Sequence, residues 1–194
     1  MKESDIIIQD LQKRIALYED ISAYRQLYDL LYNSLYRFSF AFVKSKEAAE
    51  EIVSDVFVKL WQIRGRLTEI ENLRVYLYTI SKNFSLNYIT KYYKNPVVSL
   101  DEIDIEAIVE VKSLEDIFIS ADLAARIRET IQCLPPQCRI IFQLVKEEGL
   151  KYKEVASILN ISSLTVRNQV AISVKKIGET LPAYLLPEPA SRKA

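Results

Sequence analysis

The sequence GLKYKEVASILNISSLTVRNQVAISVKK, residues 149–176, predicts two short helices separated by a tight turn. In each half, apolar residues recur at helical spacing, so each helix can bury one stripe against a common core. These residues are Val155, Ala156 and Leu159 in the first half, and Val166, Val170 and Val174 in the second, with Ile177 continuing the pattern just after it. Asn160 tolerates a left-handed backbone, Ile161 can fill the angle between the helices, and Ser162 can cap the second helix. The pattern is typical of a helix-turn-helix.

The outer face of the second helix is polar near its start, where a recognition helix meets base edges in a DNA major groove. This face comprises Ser163, Leu164, Arg167, Asn168 and Ala171 if the valines point inward. Residues 149–178 contain five Lys or Arg and one acidic residue, a net charge of +4 that suits contact with phosphates. A purely structural helical hairpin is the alternative interpretation.

The composition indicates an all-α protein, because only three of the 194 residues are glycine and 49% are apolar. No run of about 18 apolar residues and no signal-peptide pattern is present, so we expect a soluble cytoplasmic protein without membrane insertion. There is no histidine, and Cys133 and Cys138 flank a Leu-Pro-Pro-Gln turn without metal-site spacing. We therefore expect no metal, no cofactor and no enzymatic activity.

Residues 11–43 predict one long helix, because apolar residues recur at spacings of three and four: Leu27, Leu30, Leu31, Leu35, Phe38 and Phe42. Tyrosines also recur every four residues along it, at positions 24, 28, 32 and 36. Aromatic side chains at this spacing favour a role in the core over a cofactor site.

Residues 47–63 predict a second helix with an acidic outer face. The outward side chains are Glu50, Glu51, Asp55, Lys59 and Gln62, with Phe57 and Trp61 at the margin. Such a face is either a solvated surface or a docking site, because aromatic residues beside charges also anchor protein interfaces.

A loop over 64–72 leads to a predicted helix over 73–93. We expect one inward face of Leu77, Ile80, Phe84 and Tyr88, and one polar face of Thr79, Asn83, Asn87, Thr90 and Lys94. From Arg74 to Lys94 there are four Lys or Arg and no acidic residue. Asparagine can read base edges and exposed aromatic rings can hold an unstacked base, although the basic face could also be incidental.

The composition then becomes acidic, with seven acidic residues and one lysine over 101–116. This predicts a first domain at 1–94, an acidic linker at 95–119 and a second domain at 120–194 with a loose tail. In the second domain, one helix runs from Ser120 to Pro135-Pro136, and another ends at Gly149 before the helix-turn-helix. The fold class is thus two small helical domains joined by an acidic linker.

Three segments, in this order, resemble the bacterial sigma factors of RNA polymerase, in particular the small extracytoplasmic-function (ECF) group of the sigma-70 family. AEEIVSDVFVKLW is similar to the core-binding helix of that family, and LRVYLYTISKNFSLNYI to its promoter-melting and minus-ten helix. CLPPQCRIIFQLVKEEGLKYKEVASILNISSLTVRNQV resembles the region that binds the minus-thirty-five element. The resemblance covers roughly residues 11–181.

The resemblance implies a role for each matching residue. It implies docking on core RNA polymerase by Glu50, Glu51, Asp55, Phe57, Trp61 and Gln62. It implies capture of a flipped minus-ten base by Asn83, Asn87 and the loop 66–72, with Lys91 and Lys94 beside them. It implies minus-thirty-five binding by Ser163, Leu164, Thr165, Arg167, Asn168, Lys175 and Lys176.

The implied partners are core RNA polymerase, promoter DNA and a membrane-bound anti-sigma factor. Ile172 and Val174 stand where the family usually has basic residues, ITKYYK replaces an arginine run, and Asn160 replaces the common turn glycine. The first two departures predict that promoters are bound only by the complex with polymerase. Two alternatives remain: an ordinary helix-turn-helix regulator that acts without polymerase docking, and an antagonist that binds the anti-sigma factor without supporting transcription.

Overall fold

A computed structural model of the protein describes residues 3–93 and 121–179. The described residues contain helices and no strand, which confirms the all-α prediction. The helices are α1 (Glu3–Tyr18), α2 (Ile21–Val43), α3 (Lys46–Gln62), α4 (Leu73–Tyr93), α5 (Ala121–Gln132), α6 (Pro136–Phe142), α7 (Tyr152–Leu159) and α8 (Ser163–Glu179). A 3₁₀ helix (Arg64–Glu69) precedes α4, and a π-helical turn (Gln143–Glu147) follows α6. The predicted acidic linker, Ser120, Lys94 and the tail lie outside the described residues.

The predicted single helix over 11–43 is wrong, because the chain breaks between α1 and α2. Glu19 has a left-handed φ of 49°, and Asp20 caps α2 by accepting the backbone N–H groups of Ser22 (2.8 Å) and Ala23 (3.0 Å). Aspartate is a strong N-cap, so this local signal overrides the continuous apolar spacing. The break lets α1 pack against α2, α4 and the 3₁₀ helix.

The first four helices enclose one apolar core. Its fully buried members include Leu27, Leu35 and Phe38 of α2, and Val53 and Leu60 of α3. Ser45 caps α3 as predicted, since its hydroxyl accepts the backbone N–H of Ala48 at 3.2 Å. Complete burial of side chains of this size is the main favourable contribution to the stability of the fold.

The helices of the second half surround the helix-turn-helix. Pro136 occupies the first turn of α6, as predicted. Proline is favoured there because a backbone N–H in the first turn would have no acceptor within the helix. Gly149 has a φ of 66° and directs the chain from the π-helical turn towards α7. A smaller apolar cluster joins α5 to α6 through Leu123, Ile127 and Cys138.

The two halves of the chain pack against each other through α4 and α7. One continuous set of buried apolar residues includes Leu35 of α2, Leu77 of α4 and Val155 of α7. Polar contacts also cross this interface. In one of them, a guanidinium nitrogen of Arg74 donates to the backbone oxygen of Glu148 at 2.8 Å. The helix-turn-helix therefore lies directly beside the helix predicted to contact minus-ten DNA.

Candidate nucleic-acid interface

The turn of the helix-turn-helix has the predicted geometry. Asn160 adopts the left-handed conformation with φ 57° and ψ 47°, and Ile161 is half-buried with its N–H donated to the backbone oxygen of Ala156. The Ser162 hydroxyl accepts the backbone N–H of Thr165 at 2.9 Å and so caps α8. This turn fixes the angle at which α8 leaves α7.

Helix α8 exposes the predicted contact face. Side chains of Ser163, Leu164, Arg167, Asn168, Lys175 and Lys176 are exposed, whereas Thr165 is half-buried beside the cap. Val166 and Val170 are buried, as predicted. The exposed face has polar groups at the start of the helix and two ammonium groups near its end. Polar side chains are suited to contact base edges, and ammonium groups are suited to contact phosphates.

The buried stripe of α8 departs from the prediction at one position. Val174 is 47% exposed, and Ser173 is buried in its place. The buried positions Val166, Val170 and Ser173 follow steps of four and three residues, and a further step of four reaches the half-buried Ile177. The Ser173 hydroxyl donates to the backbone oxygen of Gln169 at 2.9 Å, which satisfies it within the helix.

Helix α4 exposes Asn83, Asn87 and Lys91, for which the family resemblance implies minus-ten binding. Its interior differs from the prediction, because Ile80, Phe84 and Tyr88 are only half-buried. The buried uncharged positions are Leu73, Leu77, Tyr78, Ser81, Ser85 and Ile89. Two of these positions are serines, and the Ser85 hydroxyl donates to the backbone oxygen of Ser81 at 2.8 Å within the helix.

Two of the four predicted basic residues of α4 do not contribute an exposed charge. Arg74 and Lys82 are buried, and burial lowers the pKa of the Lys82 ammonium. Lys91 is exposed, and its ammonium lies 5.7 Å from the centre of the Tyr92 ring. The exposed charge on α4 therefore lies towards its C-terminal end.

The segment before α4 is held in place by Gln12 of α1. The Gln12 side-chain amide donates to the backbone oxygens of Leu67 at 2.6 Å and Ile70 at 2.8 Å. Sequence reasoning missed this residue, since a glutamine within an amphipathic helix carries no signal for a contact 55 positions away. Gln12 thus fixes the shape of the loop 66–72.

Helix α3 exposes Glu50, Glu51, Asp55 and Gln62 as predicted, but it buries Phe57. The prediction that Phe57 lies at the surface margin is wrong: only 2% of it is exposed, and its ring packs 4.6 Å from that of Tyr28. Phe57 follows the buried Val56 and turns towards α2. Sequence reasoning also missed the exposed Val58 on the same helix.

Trp61 remains at the margin of this acidic face. It is half-buried, with its ring centre 5.0 Å from that of Tyr24 and with the Arg64 guanidinium 4.8 Å above it. The pKa values of Tyr32 and Tyr36 are raised by burial and by the nearby Glu50 carboxylate. The four tyrosines at positions 24, 28, 32 and 36 are half-buried and pack against the core of the first half.

Comparison with protein families matches two successive parts of the chain. The description "Sigma-70 region 2" fits residues 23–94, and "Sigma-70, region 4" fits residues 124–177. Together the matches cover about two thirds of the chain. The chain belongs to the sigma-70 family. Its resemblance to the ECF group is confirmed by its similarity to ECF RNA polymerase sigma-E factors.

Two sigma-70 relatives illustrate the extent of the likeness. The RNA polymerase sigma-H factor of Pseudomonas aeruginosa is 23% identical over 151 residues, which are 74% of this chain and 78% of that factor. The ECF RNA polymerase sigma-E factor of Escherichia coli is 27% identical over 127 residues. That alignment covers 62% of this chain and 66% of the sigma-E factor.

Two solved structures share the fold of this sigma-70 family member. CnrH, in complex with the cytosolic domain of CnrY, is 18% identical with a TM-score of 0.53, over 91% of this chain and 96% of CnrH. The sigma factor RpoE from Bartonella quintana, in complex with the anti-sigma factor NepR, is 20% identical with a TM-score of 0.55. That match covers 82% of this chain and 97% of RpoE.

Within residues 3–93 and 121–179, no helix has the length and apolar character needed to cross a lipid bilayer.

Proposed function

We propose that this protein is a sigma factor that directs core RNA polymerase to specific promoters and assists their opening. The observation that carries this function is the succession of sigma-70 regions 2 and 4 in one chain. Covalent chemistry belongs to the polymerase, and the sigma factor supplies recognition.

Docking on polymerase is assigned to the exposed side of α3. Glu50, Glu51 and Asp55 present carboxylates there, and Trp61 offers a half-buried aromatic ring at one end. Tryptophan is among the residue types most enriched in the few positions that dominate binding energy at an interface. Phe57 contributes by holding α3 against α2 rather than by direct contact.

Minus-ten recognition is assigned to α4 and the preceding loop. Asn83 and Asn87 project from one exposed face of α4, and the loop 66–72 is fixed by Gln12. A fixed loop beside hydrogen-bonding side chains can hold an unstacked base, which assists melting because that base no longer pairs with the template strand.

Minus-thirty-five recognition is assigned to α8. Arg167 and Asn168 are exposed in the second turn of that helix, where side chains can reach base edges in a major groove. Lys175 and Lys176 lie two turns further along, and their ammonium groups suit phosphate contacts that position the helix without reading sequence.

Run-off transcription tests this function directly. Purified core polymerase, with or without the chain, is incubated with promoter fragments from the same genome. Transcripts that need the chain and share two spaced motifs would support it. Duplex binding by the chain alone, without such transcripts, would favour an ordinary helix-turn-helix regulator.

We also propose an anti-sigma factor as a partner, anchored in the membrane, and a cytoplasmic location for this chain. The sigma factor RpoE, of similar fold, was solved with the anti-sigma factor NepR, and CnrH was solved with the cytosolic domain of CnrY. These two complexes support the proposal of an anti-sigma partner. Affinity purification from unstressed cells followed by mass spectrometry should recover a protein with a membrane-spanning helix. Recovery of polymerase subunits alone would count against this partner.

A further inference from the structure

The first turn of α8 exposes a large apolar side chain. Leu164 is 65% exposed, and it lies on the helix that the proposed function places in the major groove. Successive residues of an α-helix are rotated by about 100°, so the buried Val166 and Val170 lie about 200° and about 240° around the helix from Leu164. Leu164 therefore points almost directly away from the core against which α8 packs.

The backbone at Leu164 is fixed by the cap of α8. The Ser162 hydroxyl accepts the backbone N–H of Thr165 at 2.9 Å, and the Ser162 backbone oxygen accepts the N–H of Val166 at 3.1 Å. Both hydrogen bonds span Leu164. A side chain on a fixed backbone loses less conformational freedom when it meets a partner, so this position is suited to a specific contact.

The side chains beside Leu164 indicate the chemistry of its partner. Arg167 and Asn168 follow it by three and four residues, so they are its neighbours on the helix surface, and both are exposed. Their guanidinium and amide groups match the hydrogen-bonding groups of base edges. Leucine has no such group, and the apolar group that base pairs present in the major groove is the 5-methyl group of thymine. The partner that suits Leu164 is therefore a thymine methyl group.

We propose that Leu164 recognises the 5-methyl group of one thymine in the minus-thirty-five element, next to the bases contacted by Arg167 and Asn168. This inference rests on the proposed function, because it requires α8 to lie in the major groove. The leucine side chain covers the methyl group and removes it from water. At a C·G pair the same contact would bury the amino group of cytosine without an acceptor, so cytosine is disfavoured at this position.

Two further positions of α8 increase the importance of base contacts. Ile172 and Val174 are 43% and 47% exposed, and the family usually has basic residues there. Apolar side chains at these positions provide no attraction for phosphates, which is the part of DNA binding that does not depend on sequence. A larger share of the binding free energy then comes from contacts with bases, and the loss of one methyl contact should be measurable.

Uracil tests the proposal, because it differs from thymine only in lacking the 5-methyl group. A promoter duplex with both motifs found by run-off transcription is prepared with each thymine of its minus-thirty-five element replaced singly by uracil. Competition anisotropy with the assembled holoenzyme measures the affinity for each duplex. Burial of one methyl group corresponds to about a fourfold change in affinity, so we expect one of the uracils to weaken wild-type binding about fourfold.

Variants of α8 assign that methyl group to Leu164. Leu164→Ala should bind the thymine duplex at least about fourfold more weakly and should no longer distinguish thymine from uracil at that position. Leu164→Met keeps a large apolar side chain and should retain the response to uracil. Circular dichroism should show both variants folded, since position 164 is exposed.

Val174→Ala is the matched control. Val174 is also an exposed apolar residue of α8, but it lies about 80° around the helix from Leu164 and about 15 Å further along it. This variant should therefore respond to uracil as the wild type does.

The proposal is overturned if no single uracil weakens wild-type binding, if Leu164→Ala keeps the wild-type response, or if the minus-thirty-five motif contains no A·T pair. A failure of the sigma function gives a different result, namely no transcripts from any holoenzyme. The motif is then obtained by selection from a random duplex pool with the free chain, and the same uracil series on the free chain decides the role of Leu164. A chain that selects no duplex sequence would overturn both proposals.

Discussion

Replacing Gln12 with leucine should loosen the minus-ten loop without disturbing the rest of the fold. The change preserves side-chain size and removes both hydrogen bonds to the backbone oxygens of Leu67 and Ile70. A neutral hydrogen bond contributes about 1 kcal/mol net, and an unsatisfied buried acceptor costs about 1–3 kcal/mol. Because Leu67 is fully buried and Ile70 half-buried, we expect the free energy of unfolding to fall by about 2–4 kcal/mol.

Urea denaturation followed by circular dichroism measures that loss, and anisotropy with the assembled holoenzyme measures binding of the minus-ten single strand. Gln9→Leu is the matched control, since Gln9 lies on the exposed face of α1 three residues earlier. Gln12→Leu should weaken single-strand binding and leave duplex minus-thirty-five binding unchanged. Equal stability and equal binding for the two variants would refute the role of Gln12. Lower stability with unchanged binding would show that Gln12 supports the fold without positioning the loop.

Three further predictions concern α3, α8 and the start of α2. Trp61→Ala should weaken core polymerase binding by about 2 kcal/mol, roughly thirtyfold in a titration, whereas unchanged affinity would remove α3 from the docking surface. Arg167→Ala should cost about 1–3 kcal/mol at a single base position of the minus-thirty-five element; a uniform loss across sequences would instead make it a phosphate contact. The backbone N–H of Ala23 and the side chain of Arg14 lower the pKa of Asp20 below 3.8. The stabilising contribution of Asp20 is therefore complete above its unfolded pKa and is lost as the pH falls through the lower folded pKa. Acid titration of Asp20→Asn should show a smaller loss of stability in that range, and identical acid profiles would contradict this.

The sequence predicted the helix-turn-helix well because its signals are local. The left-handed Asn160, the Ser162 cap and the buried Val166 and Val170 depend on neighbours within a few residues. The same holds for the bounds of α4, which agree with the predicted 73–93. For the exposed site residues, helical periodicity was sufficient to place Asn83 and Asn87 on one outer face.

The errors occur where packing between helices decides the outcome. Phe57 and Trp61 are four residues apart on α3, yet contact with Tyr28 buries Phe57 while Trp61 stays at the margin. Ser173 replaces Val174 in the interior because the angle of α8 against α6 selects the buried positions. Periodicity gives the width of a buried stripe but leaves its centre uncertain by about one residue.

By itself, the sequence determined the helical class, the helix-turn-helix and the faces assigned to DNA, since caps, turns and 3.6-residue periodicity act over short distances. Only the tertiary structure revealed the hold of Gln12 on the loop and the ion cluster of Glu148 with Arg37 and Arg74. Arg37 and Glu148 are 111 positions apart, and each resembles an ordinary surface charge when read only with its neighbours in the sequence. Whether such charges meet depends on how α7 packs against α4, and that packing follows from the shape and burial of the whole chain.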